Sequence, residues 1–248
     1  MDENVVRIEV PDPPDDPTVV DELLRTGAVE VRGRMPWSSN ATFLAQVCGE
    51  QGEALAVYKP ERGERPLWDF SPGLWRREVA AYRLSEWLGW GLVPCTVPRP
   101  DAPLGEGSLQ LFVPFDSESH YFTLYENEAN HALLKRLCAF DLLINNTDRK
   151  GGHCLLDSSG RIWAIDNGLA FHEEFKLRTV IWEFGGDTVP DDVLADIARL
   201  IDPGVPADVA ELLDASEVEA IEGRAAMLVR GRKYPIDTTG RRYPWPLV

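Results

Sequence analysis

Short alternating segments dominate the first half of the chain. Val29 and Val31 alternate with polar residues, and the segments 42–47 and 54–59 are apolar-rich. Turn-forming residues at 49–52 separate the second segment from the third. Such runs between turn residues are typical of β-strands, so three consecutive strands predict an antiparallel meander.

After the predicted meander, the spacing of apolar residues changes from that of strands to that of a helix. Apolar residues recur at helical spacing over 74–88, which predicts a helix, and the segments 93–97 and 108–113 have the composition of two further strands. A shorter helix is predicted at 19–24. Five strands with one helix inserted after the third predict a compact α+β lobe.

The second half is mainly helical. The segment 126–144 carries an apolar face, and apolar runs at 154–156 and 162–165 predict a small hairpin. Capping-box patterns at 188–191 and 216–219 each precede apolar residues at helical spacing, so we expect two more helices there.

These elements together predict an α+β protein with a small antiparallel β lobe and a mainly helical lobe. We divide the chain into an acidic, proline-rich extension (1–26), a small lobe (27–113) and a large lobe (114–248). Hydrophobic residues make up 44% and charged residues 27% of the 248 positions, as in a globular protein.

The net charge of the chain limits the kinds of partner that it can bind. The net charge of -16 arises from 41 acidic and 25 basic residues, and such a surface repels nucleic acid and anionic membranes. No apolar run reaches the length of a membrane span, and the first residues do not have the pattern of a signal peptide. Four widely separated cysteines indicate reduced thiols and argue against a zinc site. We therefore expect a cytoplasmic protein without stable membrane insertion.

A lysine and a glutamate are the first candidate functional residues along the chain. Lys59 ends the third predicted strand, where an ammonium group can neutralise nucleotide phosphates. Glu78, in the following helix, is placed to pair with it. The alternative for both is an ordinary solvated charge. The loop 38–42 offers Ser39 and Asn40, whose backbone N–H groups can approach phosphates, although a plain hairpin turn explains the same residues.

The segment 141–153, DLLINNTDRKGGH, carries the strongest pattern. It follows a long apolar-faced helix and precedes a strand. Asp148 is predicted to orient the hydroxyl of an acceptor, and Lys150 to stabilise charge on a phosphoryl group in transfer. His153 is predicted either to bind a metal ion or to form a hydrogen bond with Asp148. Magnesium prefers oxygen ligands, which makes an imidazole an unusual choice.

A second aspartate follows an apolar strand at 162–165. Asp166 precedes Asn167 and Gly168, and we predict that it is the principal magnesium ligand. A turn aspartate after a strand is the alternative. The order of lysine, glutamate, catalytic loop and strand–aspartate–turn is more specific than any one of these motifs.

The motifs at 141–149 and 164–171 resemble the catalytic loop and metal motif of type II phosphatidylinositol 4-kinases. The wider stretch 27–235 is similar to an actinobacterial family related to the phosphatidylinositol 3/4-kinases. This resemblance implies a protein-kinase-like fold that binds ATP and magnesium between its lobes, with Lys59, Asp148 and Asp166 in the roles given above. The adenine is then expected near 110–113, against Gln110, Phe112 and Val113.

The resulting hypothesis is transfer of the γ-phosphoryl group of ATP to a hydroxyl of a small polyol-like molecule or a protein. Two alternatives stay open: a nucleotide-binding pseudokinase, and an enzyme that transfers AMP to a protein. Lys176 and Arg178 are either readers of an anionic acceptor or solvated loop charges. The basic segment 230–242 either binds an anion or a partner or packs on the acidic surface of the protein, and we favour packing. Trp245, between Pro244 and Pro246, suggests that packing pins the end of the chain.

Overall fold

The structure, a computed structural model, describes residues 10–36 and 40–248. The helices are α1 (Pro17–Thr26), α2 (Leu74–Trp87), α3 (Tyr121–Tyr125), α4 (His131–Ile144), α5 (Asp191–Ala198), α6 (Ala207–Ala210) and α7 (Ala215–Gly231). The strands are β1 (Ala28–Arg34), β2 (Phe43–Gly49), β3 (Gly52–Pro60), β4 (Thr96–Arg99), β5 (Gly107–Leu111), β6 (Cys154–Leu156) and β7 (Ile162–Ala164).

The small lobe is built on a five-stranded antiparallel sheet in the order β1-β2-β3-β5-β4. The predicted meander and the helix inserted after its third strand are confirmed. Helix α1 covers the sheet, because its apolar residues Val20, Leu23 and Leu24 join the sheet residues in one buried core.

The fourth strand lies later in the chain than predicted. We expected it at 93–97, whereas β4 is Thr96–Arg99. Leu92 and Val93 are buried in the core of the large lobe instead of in the sheet. These two residues are therefore apolar because they pack against helices. A short apolar run in a sequence does not distinguish such residues from a strand.

The large lobe surrounds α4. The side chains over its last two turns, from Leu137 to Ile144, are all buried, and α4 packs against α7. The predicted hairpin is present as the pair β6–β7. Its position directly after the loop that follows α4 brings that loop and the end of β7 to the same side of the lobe.

Both predicted helix caps are displaced. Helix α5 has Pro190 at its N-cap, and Thr188 instead forms an isolated bridge with Lys233. Helix α7 uses Asp214 and Glu217 as its capping box, two residues before Ser216. A capping box is a local pattern, and at α7 the neighbouring acidic residues satisfy it equally well, whereas α5 has no side-chain cap hydrogen bond.

No helix of residues 10–36 and 40–248 combines the length and the apolar character needed to cross a membrane. The cysteines are free thiols, as predicted: Cys138 and Cys154 are buried, Cys95 is half-buried and Cys48 is exposed.

Candidate functional site

Three predicted charges meet between the lobes. The Nζ atom of Lys59, at the end of β3, lies 2.8 Å from Oδ1 of Asp166 and also donates to Oε1 of Glu78. Burial opposes the charge on Lys59, but the carboxylates of Asp166 and Glu78 outweigh it and raise the pKa of the lysine. The ammonium group is therefore fixed as a cation at neutral pH.

Glu78 joins the lobes through both of its oxygens. Its side chain is buried, and Oε2 accepts a hydrogen bond of 3.0 Å from the backbone N–H of Asn167. A Cβ atom at Gly168 would lie 3.2 Å from Oε1 of Glu78, so glycine permits this close approach. Helix α2 thus holds Lys59 and the loop after β7 in one arrangement.

Asp166 faces open space in the cleft. It follows β7 with a backbone φ of 60°, a left-handed conformation that turns the chain sharply, and about half of its side chain (52%) is exposed. The positive charge of Lys59 lowers the pKa of its carboxyl group, and burial only partly opposes this. The carboxylate is consequently ionised and available as a ligand.

His153 lies against Asp166. Its Nε2 atom is 3.5 Å from Oδ2 of Asp166, while its Nδ1 atom lies 3.4 Å from the backbone N–H of Lys150. Burial lowers the pKa of the imidazole to about 4, and the ring is neutral at pH 7. Among the described residues the ring approaches Asp166 and forms no hydrogen bond with Asp148, so the predicted hydrogen bond to Asp148 is wrong.

Asp148 and Lys150 form the second half of the site. The Nζ atom of Lys150 lies 2.6 Å from Oδ2 of Asp148, and the Asp148 backbone N–H donates to Oδ1 of Asn146 over 2.9 Å. Burial raises the pKa of the Asp148 carboxyl group, against the lowering effect of the Lys150 charge. This environment suits a carboxylate that accepts a proton.

Arg149 organises the loop from beneath, a role that sequence reasoning did not assign. Its side chain is fully buried, and its Nε donates to both oxygens of Asp141 at 3.0 and 3.2 Å. Its Nη2 donates to Oδ1 of Asn167 over 2.6 Å. The guanidinium group thus ties α4, the 146–150 loop and the turn after β7 together.

The convergent side chains line a cavity of about 730 Å³ between the lobes. Lys59, Glu78, Asp148, Lys150, His153 and Asp166 all contribute to its wall, as does Asn40, and this size is typical of small-molecule sites. Oδ1 of Asn40 accepts the Arg65 backbone N–H at 3.0 Å. Ser39 lies outside the described residues.

An adjoining cavity of about 260 Å³ is more apolar in its lining. Gln110, Phe112 and Val113, the residues expected near an adenine, line it together with Val57 and Leu155. Lys59 and Asp166 border both cavities. The two spaces therefore adjoin at these charges.

The C-terminal segment forms part of the cavity wall. Trp245, Pro246 and Val248 line the larger cavity, and the backbone N–H of Gly151 donates to the carbonyl of Leu247 over 2.6 Å. The Trp245 ring does not take part in the packing that was predicted to pin this end of the chain, since Trp245 is 87% exposed, but the neighbouring Pro244 is buried. The backbone hydrogen bond of Leu247 adds to the attachment of this end.

The side chains of the cavity can contribute to the binding of a metal ion in one way. Among the described residues, no group of three or more histidine, cysteine, aspartate and glutamate side chains is arranged to hold a metal ion. Asp166 nevertheless presents an ionised oxygen ligand. Magnesium commonly uses one or two carboxylates and completes its shell with substrate phosphates and water. These residues therefore fit a magnesium ion that arrives with a nucleotide.

Comparison with known proteins identifies a relative of this chain by sequence and solved structures with a similar fold. No protein-family model matches the chain. Protein Rv2133c of Mycobacterium tuberculosis is 37% identical over 262 residues, which cover 90% of this chain and 94% of the relative.

Two solved structures share the architecture. The Golgi casein kinase with Mn/ADP bound superimposes with a TM-score of 0.56 at 15% identity, covering 95% of this chain and 81% of the other. Hydra Fam20 with sugar gives a TM-score of 0.54 at 14% identity, covering 86% and 87%. The chain accordingly has a two-lobed kinase-like fold, whereas the closer resemblance to phosphatidylinositol kinases stays a prediction.

Proposed function

The chain belongs to the same family as Protein Rv2133c of Mycobacterium tuberculosis, and from this premise we propose that it is a phosphotransferase that uses ATP and magnesium. The observation that carries the proposal is the convergence of Lys59, Asp166 and Asp148 on one cavity. A cation for the phosphates, a carboxylate for the metal and a carboxylate for the acceptor are the parts that phosphoryl transfer requires.

Each residue has a defined task in the proposed reaction. Lys59 binds the phosphates of ATP, and Glu78 positions its ammonium group. The hydroxyl oxygen of the acceptor forms a bond to the γ-phosphorus as the bond from that phosphorus to the β–γ bridging oxygen breaks, which releases ADP. Asp148 takes the hydroxyl proton, and Lys150 offsets negative charge on the phosphoryl group in transfer.

Asp166 holds the magnesium ion in this proposal. Such an ion, when bound, would supply positive charge that offsets the negative charge of the nucleotide phosphates. His153 accompanies Asp166 and positions its carboxylate through the contact at 3.5 Å. The Golgi casein kinase structure, which was determined with Mn/ADP bound, supports the assignment of a nucleotide and a divalent metal ion to this cleft.

The finer assignments extend the same proposal. We place the boundary between the lobes between residues 113 and 114. The adenine of ATP is placed against residues 110–113. We also propose that the chain is related to the phosphatidylinositol 3/4-kinases. The cytoplasm is the proposed location. The acceptor is proposed to be a small hydroxyl compound or a protein side chain, with no role for nucleic acid.

Labelled ATP tests the proposal. The wild type, incubated with cell extract, magnesium and γ-labelled ATP, is expected to transfer label, and Asp148→Asn to reduce the rate by about 10²- to 10⁴-fold because the proton acceptor is lost. Asp12→Asn, an exposed aspartate outside the cleft, is the matched control and should retain wild-type rates. Equal labelling by wild type and Asp148→Asn contradicts the assignment, and label from α- instead of γ-labelled ATP indicates AMP transfer.

A further inference from the structure

A third cavity, of about 650 Å³, opens on the other side of Asp148. Four cationic side chains, Lys176, Arg178, Arg241 and Arg242, line it. We call this space the cationic groove. Asp148 and Leu169 line both the groove and the larger cavity between the lobes. The groove therefore leads directly to the carboxylate that is proposed to meet the acceptor hydroxyl.

The charge of the groove is opposite to that of the protein. Its lining contains four cations and two carboxylates, Asp69 and Asp148, on a chain whose net charge is -16. A local concentration of positive charge on an acidic protein attracts an anionic ligand to that place and leaves the rest of the surface repulsive.

Backbone hydrogen bonds fix the cations beside the catalytic loop. The Arg178 N–H donates to the carbonyl of Asn146 over 2.9 Å, and the Arg149 N–H donates to the carbonyl of Arg178 over 3.0 Å. These bonds bracket Asp148. The carbonyl of Arg242 accepts from the Thr179 N–H at 3.0 Å, which brings the basic segment 230–242 to the same wall.

Two of the four cations already have acidic partners. Lys176 lies 3.0 Å from Oδ2 of Asp69, and Nε of Arg242 lies 3.9 Å from Oδ1 of Asp237. The guanidinium groups of Arg178 and Arg241 are exposed and make no side-chain hydrogen bond or ion pair within residues 10–36 and 40–248. Their donors are available to a ligand.

We propose that the acceptor is a soluble hydroxyl compound that carries a phosphate group, held in the cationic groove by Arg178 and Arg241 with its hydroxyl at Asp148. This inference rests on the proposed function. Guanidinium groups bind phosphate oxygens in a bidentate manner, and two of them match the charge of a phosphate monoester. The groove has the volume of a small-molecule site, and the acidic surface around it disfavours approach to anionic lipid.

Matched pairs of probes test the assignment. Binding of myo-inositol 1-phosphate and glycerol 3-phosphate to the full chain is measured by calorimetry beside that of myo-inositol and glycerol. We expect the phosphorylated compounds to bind at least about tenfold more tightly, the difference of one good charge-assisted contact. Arg178→Gln with Arg241→Gln should remove that difference, and Arg230→Gln, an exposed arginine outside the groove, should preserve it.

The outcomes separate this inference from the proposed function. Equal binding of phosphorylated and neutral polyols, or unchanged binding by the double variant, overturns the groove assignment even if label transfer from ATP is intact. Preferential transfer to phosphatidylinositol vesicles or to an acidic peptide over the soluble phosphates overturns it as well. Groove-dependent binding without label transfer supports the groove and contradicts the proposed phosphotransferase.

Discussion

At the scale of single residues, the site is an arrangement of mutually compensating charges. Lys59 lies between two carboxylates, which keep it protonated, and its charge in turn keeps Asp166 ionised. Asp148 has a different environment, in which burial outweighs one neighbouring ammonium group. Two aspartates of the same cavity thus have different charge environments, which suit the different tasks proposed for them, one to bind a cation and one to accept a proton.

The position of the acidic limb of the pH–rate profile tests the environment of Asp148. Its carboxyl group must be deprotonated to accept a proton, so kcat/KM should fall as the pH decreases through its pKa. Because burial raises that pKa, the fall should begin at a higher pH than an exposed aspartate would give. Lys150 lowers the pKa, and Lys150→Met should therefore move the limb to higher pH.

Initial rates of label transfer, measured from about pH 4 to pH 8, locate this limb. An acidic limb at the same pH in wild type and Lys150→Met would show that a group other than Asp148 controls the reaction.

At the scale of secondary structure, α2 is the element that connects the lobes. Consecutive residues face different partners: Glu78 pairs with Lys59 and Asn167, whereas Arg77 pairs with Glu217 of α7 and donates to the carbonyl of Ala170 over 3.1 Å. The Arg77 and Glu217 side chains are both buried. This ion pair joins the helix of the small lobe to the large lobe.

Removing one partner of this buried ion pair should lower the stability of the folded protein. Arg77→Met leaves the Glu217 carboxylate buried without a counter-charge and should lower the free energy of unfolding by about 3 kcal/mol or more. Adding Glu217→Gln removes the unpaired charge and should restore most of the loss. Arg25→Met breaks an exposed pair with Asp21 and should cost less than about 1 kcal/mol.

Urea unfolding of the four proteins measures these differences. A similar loss in Arg77→Met and Arg25→Met would contradict the role of the buried pair.

Local patterns predicted elements more reliably than their boundaries. The meander and α2 follow from the alternation and spacing of apolar residues, which reflect one buried face each. The position of β4 could not be obtained in this way, because Leu92 and Val93 are apolar on account of the large lobe. The cap at Ser216 failed because Asp214 and Glu217 form the capping box instead, and the cap at Thr188 failed because α5 begins after Pro190 without a side-chain cap.

At the scale of the whole molecule, the fold brings together residues that lie far apart in the sequence. The order of Lys59, Glu78, Asp148 and Asp166 along the chain was sufficient to predict their convergence. The buried role of Arg149, the contact of His153 with Asp166 and the position of the C-terminal segment depend on tertiary packing. No local pattern in the sequence encodes them.

Calorimetric titration with ATP, in the presence and absence of magnesium, tests the central claim that Lys59 and Asp166 together bind a nucleotide–metal complex. The wild type should bind ATP more tightly with magnesium, Asp166→Asn should lose that enhancement, and Lys59→Met should weaken binding by about tenfold or more through loss of the phosphate contact. Absence of binding by the wild type, or unchanged magnesium-dependent binding by Asp166→Asn, would contradict the account.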